Sequence, residues 1–383
     1  MLIVSNLLLK IILSLKIIKN IIFNRYSKYP KYVIDFERKL AKKFSSKYVI
    51  SFSNGTQAFE AALIALNLKK GSKILLSKLS FTSTSILILK NGFYPIYVDF
   101  DRDLKMTLNE KILKNDISAV IFTHAYGYTN EVKNINKIKK INPNIKVISD
   151  CSHAHGANFE GKNIVNFADI SFMSLQGAKA ISAGEGGVVF SNSKYLANKM
   201  IELSHPSREL IDEKNHFINV PGFSKFGKSR IHPLGALLAS SDSDLIDNKN
   251  KLIRKKINLI YSNLENNKKI YLPQIDINNT GGFHYGIPFF LKKNDIFIEK
   301  YRYIPIKKYN YLKYETYTEF ADPASYYDFI LSDIKLNLSP KSPPNIEDLR
   351  DYLFFFELGW VKKTNTKILK QEILNFSDFL ESQ

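Results

Sequence analysis

Cysteine is almost absent: the 383-residue chain has one, Cys151. No disulfide can form within the chain and no cysteine cluster can hold a metal, which fits a reducing compartment. Acidic residues are also scarce, with 36 Asp and Glu against 55 Lys and Arg, for a formal net charge of +19. Such a surplus invites a nucleic-acid reading. The lysines, however, are scattered through Lys/Asn/Ile-rich sequence rather than gathered on one element. The expectation is therefore a solvated basic surface, no nucleic-acid partner, and faster capture of anionic small molecules. There are no internal repeats and no low-complexity linker. The apolar N-terminal stretch is interrupted by Lys10, Lys16 and Lys19, which speaks against a membrane span. It also lacks the basic start and small-residue cleavage site of a signal peptide. What the chain does have is 45% hydrophobic residues and 13% aromatics, enough for a large core and too many for wholesale disorder.

Within the first 23 residues, Val4, Leu7, Leu8, Ile11, Leu15, Ile18 and Ile22 fall on one stripe at helical spacing. An amphipathic helix is expected over 1–25. It either packs on the protein or a partner subunit, or lies on a membrane surface. The chain is thus expected to be cytoplasmic, with peripheral membrane contact through residues 1–23 as the alternative. After a polar, Pro-containing break at 26–33, helix and strand alternate. Helices are expected at 33–44, 56–66 and 82–90, with strands at 48–52, 73–76, 94–98, 119–123, 146–149, 170–173 and 188–191. That alternation predicts an α/β domain with a mostly parallel central sheet. Residues 240–251 are polar and charged, and a helix is expected from there to about 266. The domains are read as 26–245 for the large unit and 246–383 for a smaller C-terminal one.

Ligands of open α/β sheets bind beyond the carboxyl ends of the strands, and four segments fall there. Ser53-Asn54-Gly55-Thr56-Gln57 joins a strand to a helix; its free N–H groups could hold a phosphate, or simply cap the helix. Asp150 ends an apolar run, where a carboxylate could cap a helix or face a cationic ring nitrogen. His153 and His155 follow; a His-x-His pair suggests metal, but no third ligand stands at suitable spacing, and two structural histidines are the plainer reading. Lys179, in Ser174-Leu175-Gln176-Gly177-Ala178-Lys179, sits on a small-residue turn after a buried strand. It is either surface charge or an amine made nucleophilic by desolvation. Lys228-Ser229-Arg230-Ile231-His232 is a basic loop that could complete an anion site. Each signal is weak alone. Together they supply a phosphate cradle, a carboxylate for a pyridine nitrogen, a lysine for an aldehyde and an extra cation, which is what pyridoxal phosphate demands.

Taken in order, Ser-Asn-Gly-Thr-Gln-Ala (53–58), Asp-Cys-Ser-His-Ala-His-Gly-Ala (150–157), Ser-Leu-Gln-Gly-Ala-Lys (174–179) with Gly-Glu-Gly-Gly (184–187), and Lys-Ser-Arg-Ile-His-Pro-Leu (228–234) resemble the DegT/StrS-type sugar aminotransferases, over about Phe36 to Ala239. The resemblance implies a fold-type-I pyridoxal-phosphate transferase acting as a homodimer with shared active sites. Lys179 would hold the cofactor and shuttle the proton. Asp150 would pair with the ring nitrogen, His153 would sit beside the ring, and Phe81 would stack on its face. Gly55, Thr56, Gln57 and Ser174 would hold the phosphate, joined by Lys228 from the neighbouring subunit, where the family often has Asn. The implied reaction carries an amino group from a donor such as glutamate to a keto sugar, nucleotide-linked, for cell-surface polysaccharide or a related glycan. The alternatives are a sugar dehydratase, a cyclitol aminotransferase, or a non-catalytic binding protein on the same scaffold. Family dehydratases replace the lysine with histidine, so Lys179 speaks for amino transfer.

Overall fold

The computed structural model describes residues 31–108, 113, 116–205, 210–211, 217–218, 229–292, 306–308 and 353–382, together with Leu15, Ile18 and Lys19. The chain divides into two compact units: residues 1–99, 105–254 and 275–284 form the first, and 100–104, 255–274 and 285–383 the second.

The first unit is built on a seven-stranded sheet. Its strands are β1 (Tyr48–Phe52), β2 (Lys73–Ser77), β3 (Tyr94–Val98), β4 (Ile117–Thr123), β5 (Lys146–Asp150), β6 (Ile170–Ser174) and β7 (Gly187–Ser191). Its helices are α1 (Lys31–Phe44), α2 (Gly55–Ala65), α3 (Thr82–Lys90), α4 (Glu131–Ile141), α5 (Lys194–Ser204) and α6 (Pro233–Leu264), the last running on into the second unit. The spatial order is β1-β7-β6-β5-β4-β2-β3. β6, β5, β4, β2 and β3 pair in parallel, while β7 is antiparallel to both neighbours. The expected mostly parallel sheet is present, with one strand reversed. That reversal is invisible in the sequence, because an apolar strand reads the same in either direction.

Successive residues of a strand face opposite ways, and here both faces are covered. Ile50, Phe52, Ile74, Leu76, Ile121 and Ile148 pack with α2, α3 and α5 through Phe59, Ala62, Ile88 and Met200. Leu75, Val120, Phe122 and Val147 turn the other way, toward Ile135 and Ile138 of α4. Val49, Val188 and Phe190 meet Phe36 and Leu40 of α1 and Ala236 and Ile246 of α6. Each large apolar side chain so removed from water contributes about 1.5–3 kcal/mol. Two-sided burial explains why these strands read as continuous apolar runs.

α6 is one unbroken helix through the polar stretch 240–251. Those polar residues find partners on neighbouring elements, although Asp244 and Asp247 stay exposed: Lys39 bonds the Ser240 carbonyl and Asp244, Lys43 pairs with Asp247, and Ser182 N–H bonds Asp242.

The second unit has a four-stranded sheet of β8 (Ile270–Tyr271), β9 (Gly286–Leu291), β10 (Ile306–Lys308) and β11 (Leu353–Glu357), ordered β8-β9-β11-β10 with antiparallel pairings. Phe289 stacks on Phe354 and Phe356, and Phe376 of α8 (Thr366–Ser382) meets Phe289 and Phe356 edge-on. Leu369, Ile373, Phe376 and Leu380 form the buried stripe of α8. α7 (Leu358–Lys363) is capped by the Lys256 ammonium, which donates to the carbonyls of Val361, Lys362 and Thr364.

Of the N-terminal amphipathic helix, only Leu15, Ile18 and Lys19 are among the described residues; they are helical and exposed. The rest of 1–25 lies outside them. Among the described residues no helix is long and apolar enough to cross a membrane.

Candidate functional site

The parallel strands set their carboxyl ends side by side. Thr123 pairs with Asp150 in register, and Asp150 with Phe172, so Asp150 lies in the middle of the sheet end. Its carboxylate is buried and accepts the N–H of Ser152 at 2.9 Å. Burial raises the Asp150 pKa, opposed by its bonds to Ser152 and by the charge of Lys179. A carboxylate in that position calls for a cationic partner. Ser152 also takes the Ser174 N–H on its hydroxyl at 3.0 Å. One serine thus orients the acid and ties it to the end of β6, a role that cannot be read from its position in the chain.

Lys179 sits on a tight turn, its N–H bonded to the Gln176 carbonyl at 2.8 Å. The loop that carries it is closed at its base, where Leu175 N–H meets the Gly186 carbonyl and Ala183 N–H meets the Leu175 carbonyl. His155 braces the far side, its Nδ1 accepting the Ile181 N–H at 3.1 Å. Lys179 is half-buried. Burial brings its pKa down to about 8, against the opposing pull of Asp150. About a tenth of the amine is therefore neutral at pH 7, far more than for an ordinary lysine, as a nucleophile toward carbonyl carbon requires.

His153 is held well below the ordinary imidazole range by burial first, then by the charge of Lys179 and the neighbouring His284 and His155. Its Nδ1 accepts the N–H of Tyr126 at 3.4 Å, which leaves the proton of the neutral ring on Nε2. The His284 ring lies 4.7 Å from it, centroid to centroid. Tyr126 and His284 were not legible as site residues; the Gly-Gly pair before Phe283-His284 was the one available hint.

α2 starts at Gly55. Asn54 caps it, its side chain accepting the Gln57 N–H at 2.8 Å, while the first-turn amides of Gly55 and Thr56 have no partner within the helix. The Gln57 side-chain amide oxygen, Oε1, accepts the Ser229 hydroxyl at 3.0 Å. Gly55 and Ser174 are in close approach: a Cβ on Gly55 would come 2.7 Å from the Ser174 Cβ and 3.0 Å from its Oγ. The gap between α2 and β6 would be filled by any side chain there. Phe81, the residue before α3, is 49% exposed. Lys228 lies outside the described residues. Among the described residues, no three His, Cys, Asp or Glu side chains gather where a metal ion could be held.

Asp150, Ser152, His153, Ser174 and Lys179 thus come together at one sheet end, with the α2 N-terminus beside Ser174. The set fits pyridoxal phosphate on three counts: a buried acid in want of a cation, an amine of lowered pKa, and an open helix N-terminus kept clear by a glycine.

The chain is 28% identical over 246 residues to GDP-perosamine synthase of Escherichia coli O157:H7, covering 63% of this chain and 67% of that one. It is 29% identical over 252 residues to the dTDP-3-amino-3,6-dideoxy-alpha-D-galactopyranose transaminase of Aneurinibacillus thermoaerophilus, covering 63% and 65%. Protein MosB of Rhizobium meliloti is 33% identical over 171 residues, 44% of this chain and 34% of that one. These alignments span from a third to two thirds of the relatives' own lengths. Among solved structures, an E. coli GDP-4-keto-6-deoxy-D-mannose-3-dehydratase with bound hydrated PLP matches with a TM-score of 0.74 at 19% identity, covering 96% of each chain. A DegT DnrJ EryC1 StrS aminotransferase from Brucella abortus matches at 0.75 and 17% identity, covering 98% and 97%. At such identities the likeness is one of fold, and the fold is that of the fold-type-I pyridoxal-phosphate transferases. The family model of the DegT/DnrJ/EryC1/StrS aminotransferases matches residues 16–302, most of the length, and the chain belongs to that family.

Proposed function

We propose that this chain is a pyridoxal-phosphate-dependent aminotransferase that moves an amino group from a donor such as glutamate to a nucleotide-linked keto sugar. The observation that carries this reading is Lys179: a half-buried amine with its pKa brought down to about 8, electrostatically coupled to a buried Asp150. The names of the relatives, a GDP-perosamine synthase and a dTDP-sugar transaminase, support a nucleotide-linked acceptor.

When bound, pyridoxal phosphate supplies an aldehyde and an electron-withdrawing ring that spreads carbanion charge. The rest is the work of the chain. Asp150 offers a carboxylate to a ring nitrogen and, by its charge, favours that nitrogen's protonated form. The amides of Gly55 and Thr56 and the Ser174 hydroxyl would hold the cofactor's phosphate, helped by the α2 dipole. Gln57 supports the cradle through Ser229. Phe81 and neutral His153 would lie against the ring. Lys179 Nζ takes up the proton released at the substrate carbon and returns it on the other side of the exchange. We further propose that a second copy of the chain completes the phosphate site with Lys228, making the working enzyme a homodimer. The single cysteine, buried Cys151, is in keeping with a reducing, cytoplasmic setting.

The test is the near-visible absorbance of the purified protein with added pyridoxal phosphate, before and after glutamate. The wild type is expected to gain a band that glutamate bleaches, and Lys179→Ala to form no such band and to lose all turnover while keeping its fold. Turnover retained by Lys179→Ala would end this reading.

A further inference from the structure

The segment carrying His284 and the Tyr126 turn that bonds His153 both hold bulky residues in a strained backbone conformation. Seven non-glycine residues among those described have positive φ, and three of them are Tyr126 at 54°, Phe283 at 49° and Tyr285 at 69°. Bulky side chains rarely adopt this left-handed region, and where they do the surroundings must enforce it. Gly282, directly before Phe283, has φ 76°. A Cβ there would stand 2.4 Å from the His153 carbonyl oxygen and 2.6 Å from the His155 nitrogen. The backbone carrying His284 thus lies directly against the backbone carrying His153.

The enforcing contacts are specific. Gly281 N–H bonds the Gly127 carbonyl at 3.1 Å, tying the segment to the Tyr126 turn. Asn250 of α6 is 2% exposed. Its Oδ1 accepts the Gly282 N–H at 2.9 Å and its Nδ2 donates to the His155 carbonyl at 2.9 Å. One buried amide thus bridges the two histidine-bearing segments and satisfies a backbone group on each. The result is a pair of rings with centroids 4.7 Å apart and planes tilted by 47°. His284 is itself 8% exposed.

We propose that His284 is a positioning residue for His153: the backbone around it, left-handed at Gly282, Phe283 and Tyr285 and held at Gly282 by Asn250, sets the His284 ring against the His153 ring and fixes the plane that His153 presents to the cofactor. On one side the Tyr126 N–H fixes the tautomer, and on the other the His284 ring blocks rotation. Neither constraint alone holds an imidazole, since a single 3.4 Å bond permits the ring to swing about it. This inference rests on the reading of Lys179, Asp150 and His153 as a pyridoxal-phosphate site.

The experiment compares His284→Phe, which keeps a flat ring, with His284→Ala, which does not, and adds Asn250→Ala. In the protein without added cofactor, imidazole 1H–15N spectra read His153 directly. Wild type and His284→Phe are expected to show one His153 ring environment with the proton on Nε2; His284→Ala should show averaged or multiple environments. In the loaded protein, His284→Phe should keep the wild-type absorbance maximum and release cofactor within about twofold of the wild-type rate. His284→Ala and Asn250→Ala should shift the maximum and release it about tenfold faster, the scale of about 1.4 kcal/mol. His153 signals unmoved by His284→Ala would overturn the proposal, as would His284→Phe being as impaired as His284→Ala. Should Asn250→Ala fail to fold, the His284 pair carries the test alone. A wild type that takes up no cofactor would instead refute the functional reading, while the imidazole spectra would still decide the ring contact.

Discussion

At the scale of single residues, the chemistry turns on two shifted groups. The amine of Lys179, with its pKa down to about 8, is protonated below that pH and neutral above it. The reaction of the unloaded protein with pyridoxal phosphate is therefore expected to speed up about tenfold per pH unit toward pH 8 and then level off. Stopped-flow absorbance between pH 6 and 10 reads this; a rate still climbing at pH 10 would mean an ordinary lysine. Stability follows with a definite sign. Between about 8 and the ordinary 10.5 the unfolded chain binds a proton at this residue that the folded chain does not. The unloaded protein thus gains stability as pH rises through that window and carries the full penalty below it. Lys179→Met removes the penalty and should raise the melting temperature at pH 7 by about 2 °C, with the gain vanishing above pH 10. Asp150→Asn keeps the shape and removes the charge. It is expected to leave the cofactor bound, more weakly, and to cost about 100-fold in rate, the scale of losing one preorganised charge partner; an unchanged rate would remove Asp150 from the mechanism.

At the scale of elements, the phosphate cradle depends on how closely α2 approaches β6. Gly55→Ala would set a methyl 2.7 Å from the Ser174 Cβ, and neither side can yield easily. Ser174 N–H is bonded to Ser152, and α2 is fixed by its Asn54 cap and by Phe59 in the core. The overpacking should cost about 1–3 kcal/mol, and cofactor affinity should fall by more than that loss alone, because the cradle itself is displaced. Thermal melts and a cofactor titration separate the two, and affinity unchanged beside a lowered melting point would place the phosphate elsewhere. The same elements indicate how far sequence could go. Two-sided apolar runs and small-residue turns made β1 to β7 and the Lys179 loop legible, though not the direction of β7, because their signals are local. α6 was harder, since Ser240, Asp242, Asp244 and Asp247 look like a solvated break until Lys39, Lys43 and Ser182 are seen opposite them. Ser152, Tyr126, Asn250 and His284 stayed hidden for a related reason. Their meaning lies in partners far along the chain or in a backbone angle, and neither leaves a periodic trace.

At the scale of the whole molecule, the charge of +19 is long-ranged only as far as salt allows, about 8 Å at physiological ionic strength. A nucleotide-linked sugar carries a diphosphate, so a basic surface should raise its encounter rate without altering the chemistry at Lys179. The site groups sit in a buried, hydrogen-bonded setting, where screening by salt is weak. We therefore expect kcat/KM for the sugar to fall several-fold as salt rises from about 20 to 300 mM, with kcat nearly constant. Steady-state kinetics over that range decide the matter. A kcat that falls in parallel would mean that salt reaches the catalytic groups, and that the buried Asp150–Lys179 pair is more open to solvent than its geometry implies. A flat kcat/KM would mean that the scattered lysines steer nothing. A polynucleotide-binding surface would behave differently again, with affinity falling steeply and linearly in log[salt] as bound counterions are released. Lysines spread along the whole chain rather than set in a stripe favour the gentle dependence, because steering needs only the summed field whereas a polynucleotide needs a continuous track of cations.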